Sequence, residues 1–125
     1  MSCMNCVPIL PSTLSRACFA VALIVIFIMA MIPLPEVLNA FSFQDKLEHS
    51  AAFLVLMLLG WSGWPNRPWP VAASLLLYGV LIELAQHFFT LNRVGDPWDV
   101  VADSSGLLIG GWLIRLYGRR DALSA

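Results

Sequence analysis

Apolar residues come in long runs along this chain, and the polar ones gather at the ends of the runs. From Ala17 to Ile32 every residue is apolar, and the uncharged stretch continues to Glu36. That approaches the ~20 residues a membrane-spanning helix needs. Arg16 precedes the run, and Pro33 and Pro35 stop it, because proline lacks the N–H and clashes with the turn before it. Met1 to Ser15 is polar with two prolines and reads as an irregular leader (1–15). A second run, about Lys46 to Trp61, follows Ser42-x-x-Asp45, a spacing that caps helix starts. SGWPNRPW then supplies Gly, Pro and Asn, a turn by composition. A third run, about Pro70 to Phe89, carries no charge through VAASLLLYGVLI, then places Glu83, Gln86 and His87 in its last two turns. Leu91 to Gly95 is a loop. Asp96-Pro97 starts a fourth helix, with Asp at the cap and Pro at the first helical position, running to about Tyr117. The expected fold class is all-α, a membrane-embedded bundle of four transmembrane helices over residues 16–120, with 121–125 as a C-terminal tail.

Composition agrees with a bilayer as the solvent. Of 125 residues, 59% are hydrophobic and 12% charged, where soluble domains run near ~25% charged. The mean hydropathy is +0.79. Net charge is −1, so nothing points to nucleic acid as a partner. Five Trp suit interfacial belts, Trp61, Trp64 and Trp69 among them. The first run also meets the pattern of a cleaved signal peptide, with Leu38-Asn39-Ala40 as the cleavage triplet. The equally apolar later runs favour a first span. Cys3 and Cys6 form a lone C-x-x-C, a weak metal signal. Cys18 lies at the start of the apolar run instead of following it, which argues against lipidation.

Four spans put both termini on one side. Arg16, Arg67, Arg119 and Arg120 share that side, so the positive-inside rule makes it the cytoplasm. The start of span 2, the end of span 3 and the start of span 4 then share the outer face, where the polar residues are. Asp45, His49, Phe53 and Leu56 lie on one helical face, as do Gly79, Glu83, Gln86 and His87, and Asp99, Asp103, Gly106 and Gly110. At ~1.5 Å per residue, His49, Glu83 and Asp103 each sit roughly one to two turns below the outer surface. An unpaired carboxylate there costs at least ~2.5 kcal/mol at mid-bilayer. Lys46 or Arg93 paired with Glu83, Asp99 and Asp103 would relieve that cost. Gly106-x-x-x-Gly110 allows close helix approach.

Plainer readings stand beside these. Asp45, Asp96 and Asp99 suit helix starts through the macrodipole. Gly106 and Gly110 are packing residues before they are chemistry, and His87 borders the interface. Glu83, His49 and Asp103 are harder to dismiss, since intramembrane ionisable residues mark sites by default.

DKLEHSAAF (Asp45 to Phe53), IELAQHFF (Ile82 to Phe89) and NRVGDPWDVVADSSGLLIGG (Asn92 to Gly111) resemble the VanZ-like family. Its pattern falls here at Asp45, Lys46, His49 and Phe53; at Glu83 and Gln86; at Arg93, Asp96 and Asp99; and at Gly106 and Gly110. The core motifs span 43–116. Where the family usually has Asn, this chain has Asp103. The resemblance implies a small multi-span protein of the bacterial inner membrane, from a family named for a member linked to teicoplanin resistance. It implies no cofactor and no defined reaction.

Three functions stay open. The leading one is an outward-facing polar site for an envelope lipid or a glycopeptide-related ligand, with Glu83 and His49 central and Lys46 and Arg93 available for an anionic group. The second is catalytic, with His49, Glu83, Asp99 and Asp103 holding a divalent cation, or Glu83 and His49 acting as base and acid on a lipid-linked substrate. The third is a structural or partner subunit whose polar cluster clasps three helices. Whether the chain works alone or as an oligomer is not written in the pattern.

Overall fold

Four helices make up the computed structural model, which describes residues 11–32, 42–89 and 97–124, without the side chains of 42–45, 97 and 118–124. They are α1 (Ser12–Met31), α2 (Ser42–Gly63), α3 (Pro68–Phe89) and α4 (Pro97–Ser124). No strand occurs among the described residues. Two helices, α1 and α3, are long and apolar enough to cross a membrane, with mean hydropathies of 2.4 and 1.5. In α2 the charged residues Asp45, Lys46 and Glu48 lie near the start, whereas α4 carries charged residues toward both of its ends.

The helix ends follow from local chemistry. Ile32 is extended at ψ 130°, as a residue before proline must be, because the Pro33 ring excludes the helical region for its neighbour. Pro68 and Pro97 occupy first helical positions, where the missing N–H costs nothing and φ is already set. The irregular leader is corrected at its end. Helix α1 begins at Ser12, and Ser15 is fully buried. Ser and Thr are tolerated in a first turn, so Ser12-Thr13-Leu14-Ser15 did not exclude helix. The fourth helix also extends beyond Tyr117, to Ser124.

Cross-helix contacts set the topology. Lys46 meets Asp99, His49 meets Asp103, and Trp61 meets Tyr117. The residue numbers rise together, so α2 and α4 run parallel. Tyr78 donates a hydrogen bond to Leu23 O and Gln86 to Ala30 O, so α1 and α3 also run parallel. Phe53 packs on Tyr78, whereas Gly60 lies against Val71, so α2 and α3 are antiparallel. The result is an up-and-down bundle.

Helix α2 supplies half of the core cluster, with Phe53, Leu56, Met57 and Trp61 buried against Val71 and Leu75 of α3 and Leu107 and Ile114 of α4. Trp61 is thus a core residue at 1% exposure, not an interfacial one, whereas Trp69 is exposed. The α2–α4 seam is the tightest. A Cβ on Gly106 would collide with the backbone carbonyl of Ser50, and one on Gly110 would lie 2.9 Å from the Met57 Cβ. Helix α1 sits at the periphery and exposes Ile24, Val25, Ile28 and Met29. Between α3 and α4 lies a largely apolar groove of about 650 Å³, lined by Ala72, Leu76, Leu107, Leu108 and Trp112 among others.

Candidate functional site

Because α2 and α4 run parallel and α3 runs against them, the starts of α2 and α4 and the finish of α3 meet at one end of the bundle. Among the described residues, Lys46, His49, Glu83, Gln86, Asp99 and Asp103 from the three helices lie there. Glu83, Gln86, Asp99 and Asp103 are buried. His49 is largely covered, and Lys46 keeps 30% of its side chain exposed. Glu83 and Gln86 share the covered face of α3 with Gly79 and Ile82.

The geometry pairs specific atoms. Lys46 Nζ donates to Asp99 Oδ1 at 2.9 Å. His49 Nδ1 lies 3.0 Å from Asp103 Oδ1. His49 Nε2 faces Asp99 Oδ2 at 3.9 Å, beyond direct hydrogen-bond length. Ser50 and Ser105 hydroxyls meet at 3.1 Å across the same seam. Asp103, at 1% exposure, is the most deeply buried acid of the group. It fits because Gly79 opposite has no side chain: a Cβ there would come within 2.7 Å of Asp103 Oδ2. Gly79 therefore makes room for a carboxylate inside the bundle. The positive ends of the α2 and α4 macrodipoles lie at this same end and favour the acids held there.

Gln86 has a different task. Its Nε2 donates to Ala30 O at 3.0 Å, one of the last-turn carbonyls of α1 that have no partner within the helix. Gln86 thus ties the peripheral helix to the polar end. Asp99 is in the first turn of α4, as the helix-start reading had it, and also receives Lys46.

The expected residues divide as follows. Lys46, His49, Glu83, Asp99 and Asp103 come together. Asp45 lies in the first turn of α2, but its side chain is outside the described residues, as are Arg93 and Asp96 entirely. His87 leaves the group, exposed beside the ring of Phe88. Each four-residue step drifts about 40° around a helix, so the line from Gly79 through Glu83 has turned outward by His87. Lys46 is engaged by Asp99.

One buried pairing lay outside the sequence reading. At the other end of the bundle Ser15 donates to Ser62 at 2.8 Å, and Arg16 Nε donates to Gly63 O at 2.9 Å while its guanidinium lies 5.0 Å over the Trp64 ring. Hydroxyls 47 positions apart leave no periodic signal that would have paired them.

Chemically, the polar end can exchange a proton between His49 and Asp103, and it can hold a cation. His49, Glu83 and Asp99 each offer a ligand atom, and the three atoms lie within 4.8 Å of one another.

The family model for VanZ/LLP1 matches residues 18–118, most of the chain. No curated protein and no solved structure gives a significant match. The match takes in all three helices that build the polar end, and on it the chain belongs to the VanZ/LLP1 family.

Proposed function

We propose that the chain spans the inner membrane of a bacterium four times, with both termini cytoplasmic. In this reading, its outward polar end binds the polar part of a cell-envelope lipid or a glycopeptide-related ligand. Four spans are supported by length: at ~1.5 Å per residue, the 22 residues of α2 reach about 33 Å, enough for a hydrocarbon core of about 30 Å. They are also supported by the apolar exterior, where Leu77, Leu81, Leu108 and Ile109 face outward. The orientation rests on Arg16, Arg67, Arg119 and Arg120 at the end opposite the polar cluster.

The observation that carries the reading is the convergence of Lys46, His49, Glu83, Asp99 and Asp103 from three helices at one end of an otherwise apolar bundle. Burying that much charge is costly unless something selects for it. Glu83→Ala should leave membrane abundance near the parent level and abolish the effect on glycopeptide susceptibility. Normal susceptibility at normal abundance would refute the reading. Loss of the protein from the membrane would instead mark the cluster as a helix clasp.

A further inference from the structure

Helices α3 and α4 approach closely where Gly79 faces Asp103, and away from that point they leave an apolar groove of about 650 Å³. Small-molecule sites run from ~300 to ~1,000 Å³. Ala72, Ala73 and Leu76 line the α3 side, and Leu107, Leu108 and Gly111 line the α4 side. Gly111 stands apart from its neighbouring glycines. Gly106 and Gly110 are required by the contact with α2, whereas a Cβ on Gly111 meets nothing within 4 Å among the described residues. A glycine inside a helix lowers its stability relative to alanine, and packing within the described chain does not ask for this one.

The groove has a direction. Because α3 runs against α4, the start of α3 lies beside the later part of α4. Ser104 is at one end of the groove, and Trp69, Trp112 and Arg115 are at the other. At ~1.5 Å per residue the line from Ser104 to Arg115 covers about 16 Å, close to the ~15 Å of one leaflet's hydrocarbon. Trp69, Trp112 and Arg115 are all exposed. Tryptophan rings suit the level of lipid headgroups. Among the described lining residues Arg115 carries the charge, and no carboxylate stands with it.

Charge separates the possible occupants. Two copies of the chain in one bilayer share an orientation, so a twofold contact through this groove sets one Arg115 against the other at the same depth. A phosphate is complementary instead, and a guanidinium holds it through two parallel N–H···O bonds. We propose that the groove seats an acyl chain of an anionic glycerophospholipid from the cytoplasmic leaflet, with the headgroup phosphate on Arg115. A zwitterionic lipid is the poorer ligand, because its own ammonium offsets its phosphate. The proposal rests on the four-span placement of the previous section, which puts the Arg115 end at the cytoplasmic face, and is independent of the outward ligand.

The test reconstitutes the full chain in phosphatidylcholine vesicles. A growing fraction of the lipid is replaced by phosphatidylglycerol brominated on its acyl chains or, in parallel, by brominated phosphatidylcholine. Bromine quenches nearby tryptophan, and Trp69 and Trp112 report on the groove. The anionic lipid should reach half-maximal quenching at about fivefold lower mole fraction than the zwitterionic one. Arg115→Gln should bring the two curves together. Gly111→Leu fills open space in the groove and should also remove the preference, although every arginine remains. Ala73→Leu, at a second exposed lining position, serves if Gly111→Leu fails to insert. Equal quenching of the parent by the two lipids overturns the proposal. So does a preference that survives Arg115→Gln or the filled groove, which would mark general attraction of anionic lipid to the arginine-rich face. A parent that dimerises through the groove, with Gly111→Leu monomeric and no lipid preference, gives the groove to a second copy and overturns it too. A chain quenched by neither lipid loses its membrane placement, and the proposal with it. A lipid preference that is absent while Glu83→Ala still loses its phenotype sinks this proposal alone. Normal susceptibility in Glu83→Ala, with the lipid preference intact, sinks only the outward ligand site.

Discussion

The two ends of the bundle are closed in different ways. Where α1 starts and α2 finishes, the Ser15–Ser62 hydrogen bond, one arginine on a backbone carbonyl and a tryptophan face complete the join. No carboxylate takes part there among the described residues. At the opposite end the join holds three buried carboxylates, a histidine and a lysine. Closing a helix end requires partners for the orphan backbone groups and little else. Among the described residues, the charged side chain that joins the first end is Arg16, so closure alone does not account for the carboxylates buried at the second. This contrast is why the polar end is read as a site and the serine end as structure.

The largest effect should come from the seam that both ends share. Gly106→Val drives a side chain into the Ser50 carbonyl, backbone that cannot step aside, and should destabilise the chain by about 3 kcal/mol. Gly111→Ala is the control: nothing lies within 4 Å of the added methyl, and better helix propensity should stabilise by up to about 1 kcal/mol. Thermal unfolding in detergent ranks the two. Equal effects would mean that the ends do not depend on the α2–α4 contact.

Ser15→Ala comes next. It removes the bond to Ser62 in a fully buried position and should cost about 1–2 kcal/mol. The double variant Ser15→Ala with Ser62→Ala should recover part of that loss, because neither hydroxyl then lacks the other. A double-mutant cycle read from unfolding midpoints checks it, and strict additivity would deny the pairing.

Asp103→Asn should be the mildest. The amide oxygen still accepts the His49 Nδ1–H, so stability should move by less than about 1 kcal/mol. A large loss of stability would show that the Asp103 charge holds the helices together, and the two ends would then differ less than proposed.

Much of this was legible beforehand. Four apolar runs bounded by Pro33, by SGWPNRPW and by Asp96-Pro97 marked four helices, because proline and glycine act locally. The i, i+4 spacing placed His49 with Phe53 and Asp99 with Asp103 on common faces. Partner choice was not legible. That Lys46 takes Asp99, that Gln86 caps α1 at Ala30, and that Gly79 yields space to Asp103 all depend on how parallel and antiparallel neighbours register. No single-helix pattern encodes that. Trp61 misled for a similar reason: a tryptophan beside a turn suits an interface, but here it packs edge-on to Tyr117 at 5.6 Å. Ser15 was lost because a buried hydroxyl looks like any leader serine until its partner is known.

The most direct measurement plots glycopeptide susceptibility against membrane abundance for the parent, Ser15→Ala and Glu83→Ala in the same cells. Ser15→Ala should lose function only in proportion to lost protein, whereas Glu83→Ala should keep parental abundance and lose function completely. If Glu83→Ala falls on the same line as Ser15→Ala, both ends of the bundle are structural and the polar end is not a site.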